Sequence, residues 1–267
     1  MANKYILTVI FSLFYSIMLH AQKEVIDTIQ HRFYYAAKIS YVEGIRPRDD
    51  EVLVLIGKNK VYCGSRWKEE YYDICDSIRS HGGSTSDIIS ATAYIPVSLF
   101  PEITIKHETE KGMISGYVNF SKMFKYTEPI AEKNWTLLEG DTVIMGYRCH
   151  KAMCTHRKRT WTVWYAPEIP ISEGPWKLDG LPGMILYAID SKKQFKFDCF
   201  AADHNVNKPL YNYNTKCISI TPKRVQELRI LSEENYEAYK KAIGFRTNSA
   251  TAYNRGKGKA CLIETYE

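Results

Sequence analysis

The sequence predicts an α+β protein that is mainly antiparallel β-structure, with a curved meander or half-barrel-like sheet and two short helices packed against it. Three observations predict this fold class. Segments of strand character follow one another, most of them separated by short polar turns. Only two segments space their apolar residues as a helix does. One run of six apolar residues, Met184 to Ile189, is typical of a strand covered on both faces.

The composition excludes several classes of protein. The chain has 267 residues, a formal net charge of +6 and 45% hydrophobic residues. Such a chain is too apolar for a disordered tail or a collagen-like fibre, and it is long enough to bury a sizeable core. Its positive charge is far below that of a dedicated nucleic-acid binder, so no nucleic-acid partner is expected.

The first residues have the layout of a secretory signal peptide. Lys4 precedes an uncharged apolar run, Tyr5 to Leu19, and polarity returns after the small residue Ala21. The run is shorter than the roughly 20 residues that span a bilayer. We therefore expect a signal peptide over residues 1–21 and a single domain over residues 22–267. The protein is expected to be exported, periplasmic or secreted, with no transmembrane segment after cleavage.

Export gives the seven cysteines an oxidising environment, so we interpret them first as disulfide partners. An odd number leaves at least one thiol unpaired, and the sequence alone does not choose the connectivity. Cys149 and Cys154 are five residues apart in one predicted strand and therefore face opposite ways. We expect that they do not bridge each other.

The first half of the chain predicts an early strand and two hairpins. A turn at Gly57-Lys58-Asn59 separates the second and third predicted strands, and a polar turn separates the fourth and fifth. The predicted strands are Arg32 to Ile39, Val52 to Ile56, Lys60 to Cys63, Ile103 to Lys106 and Met113 to Val118.

Two further hairpins are predicted in the second half. Thr142 to Thr155 and Thr160 to Tyr165 flank His156-Arg157-Lys158-Arg159, a charged tip that is expected to be solvated. The apolar strand from Met184 turns into an alternating segment, Gln194 to Phe200. Its residues Phe195, Phe197 and Cys199 share one face and are expected in the core.

Two helices are predicted. The first begins at Arg66 and repeats apolar residues at helical spacing as far as Ile78. The second is expected to begin at Ser232 as its N-cap and to end before Gly244. The intervening segment Ser80 to Ser86 is predicted to be a surface loop.

A long proline-rich loop precedes the apolar strand. Pro167, Pro170 and Pro175 stiffen it and withhold backbone donors. Pro182-Gly183 suits the central positions of a type II turn, because glycine accepts the positive φ there.

This loop carries a resemblance to a known family. Gly180-Leu181-Pro182-Gly183-Met184-Ile185 resembles the signature of the GLPGLI family of exported Bacteroidota proteins, with Met184 where leucine is usual. The rest of the mature chain is similar in further elements. These are Trp135, Cys149 with Lys151 and Ala152, Trp164-Tyr165, Ile169-Pro170, Gly174-Pro175 and, more weakly, Ile263-Glu264.

The resemblance implies an exported protein of unestablished molecular function, with no catalytic set to carry over. The signature stretch is either a binding loop or a turn that determines the fold, and we favour the turn. Trp164, Tyr165 and Trp176 could instead form an aromatic platform. The candidate binding residues are Trp164, Tyr165, Pro167, Pro170, Gly174, Pro175, Trp176, Gly180, Leu181, Pro182, Gly183, Met184 and Ile185.

No metalloprotease, nucleotide-binding or dinucleotide-binding motif is present, so no cofactor is expected. Cys154 and His156 share a strand face at a spacing that two ligands of a soft metal could use. The alternative without a metal, which we favour, places Cys154 in a disulfide and His156 in solvent.

We therefore predict a non-enzymatic envelope protein that binds or carries a partner on a curved sheet face. The partner class, whether protein, peptide or lipid-like ligand, stays open. A metal-binding protein using Cys154 and His156 is the alternative, and a hydrolase is a weaker one.

Overall fold

The computed structural model describes residues 24–98, 100, 102–212, 216–244 and 259–266. The expected signal peptide, residues 1–21, lies outside these residues. The strands are β1 Glu24–Ile39, β2 Arg48–Gly57, β3 Val61–Ser65, β4 Glu102–Lys106, β5 Met113–Asn119, β6 Met123–Pro129, β7 Thr136–Ile144, β8 Tyr147–His156, β9 Arg159–Ala166, β10 Met184–Asp190, β11 Phe195–Asn212 and β12 Ile218–Ser219. The helices are α1 Arg66–Ser80, α2 Thr85–Thr92, α3 Pro222–Glu234 and α4 Tyr236–Ala242.

The strands form one open, curved sheet, which confirms the predicted fold class. Their order is β12-β6-β5-β4-β3-β2-β1-β11-β10-β9-β8-β7, so two meanders meet where β1 pairs with β11. All of these pairings are antiparallel except the short one between β12 and β6. Neighbours in sequence are therefore neighbours in the sheet within each meander, which is the arrangement that short turns favour.

The predicted hairpins are confirmed, with one difference. Val54 pairs with Cys63, and Thr104 with Gly116. The long segment from Thr142 is divided by a turn at Met145-Gly146, where both residues have positive φ. The upstream part of this segment belongs to the edge strand β7, which is mostly exposed.

Both faces of the sheet are covered near its centre. Val52 and Val54 belong to the largest apolar cluster, whereas the alternate residues Leu53 and Leu55 belong to a second one. The largest cluster also includes Phe195, Phe197 and Cys199, which confirms the predicted core face of β11. The first three residues of β10, which begin with Met184, are fully buried, as the apolar run predicts.

The helices differ from the prediction in number and in one boundary. Helix α1 is confirmed, with Ser65 as its N-cap. The predicted loop contains the N-terminus of α2, where Ser84 and Asp87 form a capping box. Near the C-terminus, Ser232 lies inside α3 and is not an N-cap, and Asn235 caps α4 instead.

None of the seven cysteines forms a disulfide in the structure, so the expected disulfides are not shown. Cys149 and Cys154 are both buried and both belong to the largest apolar cluster, without a bridge between them. In the residues described here, no helix is long and apolar enough to cross a membrane.

Candidate functional site

The signature turn has a different geometry from the predicted type II turn. Gly180, and not Gly183, has a positive φ, of +93°. Gly183 donates its N–H to the carbonyl of Leu181 at 2.8 Å, which closes a three-residue turn around Pro182. Glycine is needed at position 183 for space, because a Cβ there would lie 2.3 Å from the carbonyl oxygen of Ala166.

The loop around the signature is tied to the core. The indole of Trp135 donates to the carbonyl of Asp179 at 2.9 Å, and Ser172 Oγ donates to the carbonyl of Leu181 at 2.8 Å. Leu178 and Leu181 are buried in the largest apolar cluster. These contacts support the interpretation of the signature as a turn that determines the fold.

The predicted aromatic platform is divided between the core and the surface. Trp176 and Tyr165 are buried, with 1% and 4% of their surfaces exposed. Trp164 is half-buried and packs edge-on against Tyr187. Lys151 Nζ lies 5.3 Å from the centre of the Trp164 ring, so a cation already occupies this position.

The prolines and the upstream glycine of the loop serve mainly as structure. Ile169, between two of the prolines, accepts a backbone hydrogen bond from Met184 at 3.0 Å. A Cβ on Gly174 would lie 2.8 Å from Cβ of Ile185, so this position also requires glycine for close packing. Pro175 accepts from the N–H of Leu178 at 3.2 Å. The Cα of Pro167 would lie 2.8 Å from a Cβ on Gly183. Pro167 and Pro170 are both exposed.

A buried ion cluster, here called the Lys177 cluster, lies beneath this loop. Lys177 Nζ is 2.7 Å from a carboxylate oxygen of Glu128 and 2.5 Å from one of Glu264. Arg229 pairs with Glu102 at 2.7 Å in the same cluster. Burial acts to lower the pKa of Lys177, but the surrounding carboxylates outweigh it and raise that pKa. The ammonium therefore stays charged and compensates acids that burial would otherwise neutralise.

A second cluster, the Lys106 cluster, is built from the same loop. Lys106 pairs with Glu173 and Asp179, and Lys133 Nζ lies 2.7 Å from Asp179. Burial opposes ionisation of Asp179, but the two lysines prevail and lower its pKa. The stretch from Glu173 to Asp179 thus contributes charges to both clusters, which sequence reasoning missed. The available signal was Lys177 between two acids, Glu173 and Asp179, in a segment that is otherwise made of Gly, Pro, Trp and Leu.

His156 lies between the two clusters and is buried, not solvated as expected. Its ring packs edge-on against Trp176 at 6.0 Å, next to a cavity of about 10 Å3 that is also lined by Lys133 and Asp179. Burial, followed by the charges of Lys133 and Arg157, lowers the pKa of His156 to about 3. The imidazole is therefore neutral at ordinary pH.

Cys154 is buried on the same side of β8 as His156, with 4% of its surface exposed, and is a free thiol. Burial raises its pKa to about 11, so the sulfur is protonated at neutral pH. The described residues include no group of three or more His, Cys, Asp or Glu side chains that could hold a metal ion.

The predicted charged tip is a two-residue turn. Arg157 and Lys158 have φ of +49° and +63°, whereas His156 and Arg159 belong to the strands. Such left-handed residues are typical of the tight turns that join twisted antiparallel strands. Arg159 is buried and pairs with Asp190, so it is not solvated either.

Two open depressions flank this turn and together form what we call the basic groove. Their volumes are about 230 Å3 and about 530 Å3, and both are lined by Arg157 and Lys158. The one carboxylate among the lining residues is Glu43. The basic residues of the lining are Arg157, Lys158, Arg159, Lys192, Lys223 and Lys259.

The chain matches a family model over part of its length and resembles solved structures at low sequence identity. A family model described as a protein of unknown function (Porph_ging) matches residues 106–187. No curated protein matches the chain. Two solved structures of PNGF-II, in space groups P21 and C2, match 74% and 76% of this chain with TM-scores of 0.47 and 0.46 and sequence identities of 13% and 12%. The chain spans about a third of their length, 32% and 33%. Residues 106–187 are thus similar to a family of unknown function. They include the signature turn, the whole Lys106 cluster, and Lys177 and Glu128 of the Lys177 cluster.

Proposed function

We propose that the chain is an exported, non-enzymatic envelope protein of the GLPGLI family that binds an anionic component of the cell envelope in the basic groove. It forms one domain over residues 22–267 after the signal peptide, residues 1–21, is removed. The observation that carries the proposal is the excess of exposed cations around the turn at Arg157 and Lys158.

The lining of the groove holds six cations and one carboxylate. Arg157 is paired with Glu128 at 2.8 Å, and Arg159 is paired with Asp190. The other four lining cations are lysines with exposed side chains, and one of them, Lys259, lies 3.6 Å from the single lining carboxylate, Glu43. An open surface with this balance attracts anions and repels cations. The lysines are Lys158, Lys192, Lys223 and Lys259.

A carrier of apolar cargo is less well supported by the structure. Large aromatic side chains of the central strands lie in the largest apolar cluster and leave no open apolar face at their positions. Phe33, Tyr35 and Phe197 have 0% of their surfaces exposed. The two large depressions lie at the hairpin turn and are bordered by charged residues. The anion-binding surface therefore replaces the sheet face in the proposal.

The test uses lipopolysaccharide as the anionic probe. In the triple variant Lys158→Glu, Lys192→Glu and Lys223→Glu, we expect affinity for lipopolysaccharide to fall by about tenfold or more, because the sign of the local potential is reversed. The control is Lys58→Glu, Lys111→Glu and Lys122→Glu, which makes the same change of net charge at exposed lysines outside the groove lining. Equal losses in the two triple variants would overturn the proposal.

The alternative of a metal site at Cys154 and His156 stays a prediction. Metal analysis of protein purified without a His tag checks it, and bound Cu or Zn that disappears in Cys154→Ser would favour it. Among the described contacts, the one His–Asp pair, His150 with Asp141 at 2.8 Å, has no serine, threonine or cysteine hydrogen-bonded to the imidazole. No observation therefore favours a hydrolase.

A further inference from the structure

Two histidines face each other across the junction of the two meanders. His31 on β1 is in register with His204 on β11. Their Nδ1 atoms are 3.0 Å apart, and the rings lie at 70° to each other. Neither histidine belongs to the ion clusters or to the basic groove. At this separation one imidazole donates its Nδ1 proton to the lone pair of the other, so at least one ring is neutral.

The backbone around this pair is irregular in a way that positions the rings. Ile29 pairs with Lys208, but His31 pairs with His204, so β11 contains two more residues than β1 between these points. Asn205 and Asn207 absorb the extra length with φ of +57° and +49°. Bulges of this kind re-aim side chains and are over-represented beside functional sites.

The pair lies where the core meets solvent. His31 is half-buried and His204 is exposed. The ring of His204 packs edge-on against the fully buried Phe33, with 6.0 Å between ring centres. The floor of the pair is therefore apolar, and its outer side is open to water and to a dissolved ion.

The distance between the two nitrogens suits a metal ion bound by both rings. With metal–nitrogen bonds of about 2.0 Å, a separation of 3.0 Å corresponds to an angle of about 97° at the metal. This angle is nearer to the right angle of a square-planar or tetragonal ion than to a tetrahedral one. Cu2+ prefers the former geometry and binds nitrogen ligands most tightly among the divalent ions of the first transition row.

We propose that His31 and His204 form a two-imidazole site for a divalent transition-metal ion of the Cu2+ type. Both rings bind through Nδ1, and water completes the coordination. When both rings are neutral, the donor ring gives up its Nδ1 proton to water and takes one up at Nε2, so binding releases no net proton; a ring that is protonated beforehand releases one proton. The site is independent of the anion-binding groove, because the two share no residue.

The experiment is a titration of untagged protein with Cu2+ alone. Calorimetry measures the affinity, and electron paramagnetic resonance identifies the ligand atoms. We expect one tight site per chain with nitrogen hyperfine structure from two imidazoles. The variants His31→Gln and His204→Gln should each lower the affinity for Cu2+ by more than about tenfold. Loss of a residue that merely hydrogen-bonds to a metal ligand already lowers metal affinity by about that factor, and loss of the ligand itself should lower it at least as much. The matched control is His150→Gln, an exposed histidine elsewhere that is paired with Asp141.

Two results would overturn the proposal. One is a wild-type affinity no higher than that of His204→Gln. The other is a resonance spectrum with sulfur ligation, which would place the ion on a thiol such as the half-buried Cys217. Circular dichroism of the variants checks that they are folded, and because His204 is exposed, its replacement should leave the core intact.

Discussion

Gly183 shows how far a single residue can be interpreted from sequence. Pro-Gly is a sound indicator of a turn, and a turn is present, but the conformation expected of Gly183 belongs to Gly180. The need for glycine at position 183 comes from the backbone of Ala166, which is distant in sequence. Local propensity therefore predicts that the chain turns. Tertiary contacts decide which glycine adopts the positive φ and which is required for close packing.

Substitutions at the two glycines separate these roles. Asparagine tolerates a positive φ better than alanine does, but it is larger. At Gly183 we expect Gly183→Asn to be at least as destabilising as Gly183→Ala, with losses of about 1–3 kcal/mol from overpacking. At Gly180, where a Cβ would lie 3.6 Å from the Trp135 indole nitrogen, Gly180→Asn should be milder than Gly180→Ala. Urea denaturation measures all four variants, and rescue of position 183 by asparagine would contradict the geometry.

The buried His156 predicts a specific pH dependence. Its folded pKa is about 3, against an ordinary value of 6.5. Below pH 6.5 the unfolded chain takes up a proton at this histidine, whereas the folded protein does not. As the pH is lowered from 6.5 to about 3, the free energy of unfolding therefore decreases by about 1.4 kcal/mol per pH unit. The neutral variant His156→Gln lacks this contribution. The free energy of unfolding of wild type should therefore decrease relative to that of His156→Gln as the pH is lowered. Parallel curves of unfolding free energy against pH would contradict a buried neutral imidazole.

At the scale of elements, sequence predicted what is local. Helix α1, the hairpins and the alternation of β11 follow from apolar spacing and from turn residues. Helix α2 was missed because Gly82 and Gly83 dominate the preceding segment, although Ser84 and Asp87 form a recognisable capping box. The break at Asn235 was missed because Ser232 offered an equally good cap three residues earlier. Local signals alone did not decide between two neighbouring caps.

The loop before β10 carries Lys177, which pairs with buried carboxylates of other elements. Replacing Lys177 by methionine leaves Glu102, Glu128 and Glu264 buried with less compensating charge. We expect Lys177→Met to cost about 3–5 kcal/mol of unfolding free energy, as breaking a buried ion pair does. Adding Glu264→Gln should recover part of this loss, because it removes one uncompensated acid.

The control for this element is Lys111→Met, at an exposed turn, which should change stability by no more than about 0.5 kcal/mol. Thermal or urea unfolding of the three variants gives the comparison. If Lys177→Met is as stable as Lys111→Met, the cluster does not hold the loop in place.

At the scale of the whole molecule, the curved antiparallel sheet was predictable and its central junction was not. Each meander joins neighbours in sequence, but β1 and β11 are brought together from opposite ends of the chain. Nothing local indicates that pairing, its bulges or the facing histidines that result from it. The buried charges were missed for a similar reason, since their partners lie on elements distant in sequence.

The thiols provide a test of the whole fold. None of the seven cysteines is in a disulfide, and six of them are buried. Alkylation in denaturant without reductant should therefore modify seven thiols per chain, as read by intact mass. Fewer modified thiols would show that a disulfide forms, as the export of the protein first suggested.

The central claim is that the groove beside Arg157 and Lys158 binds anions through charge. The most direct measurement is the affinity for lipopolysaccharide across a series of salt concentrations, for wild type and for the Lys158→Glu, Lys192→Glu and Lys223→Glu variant. Salt screens exposed charges, so the affinity of wild type should fall steeply as ionic strength rises, and the variant should show weak binding throughout. An affinity that is independent of salt, or that is the same in both proteins, would contradict the proposed function.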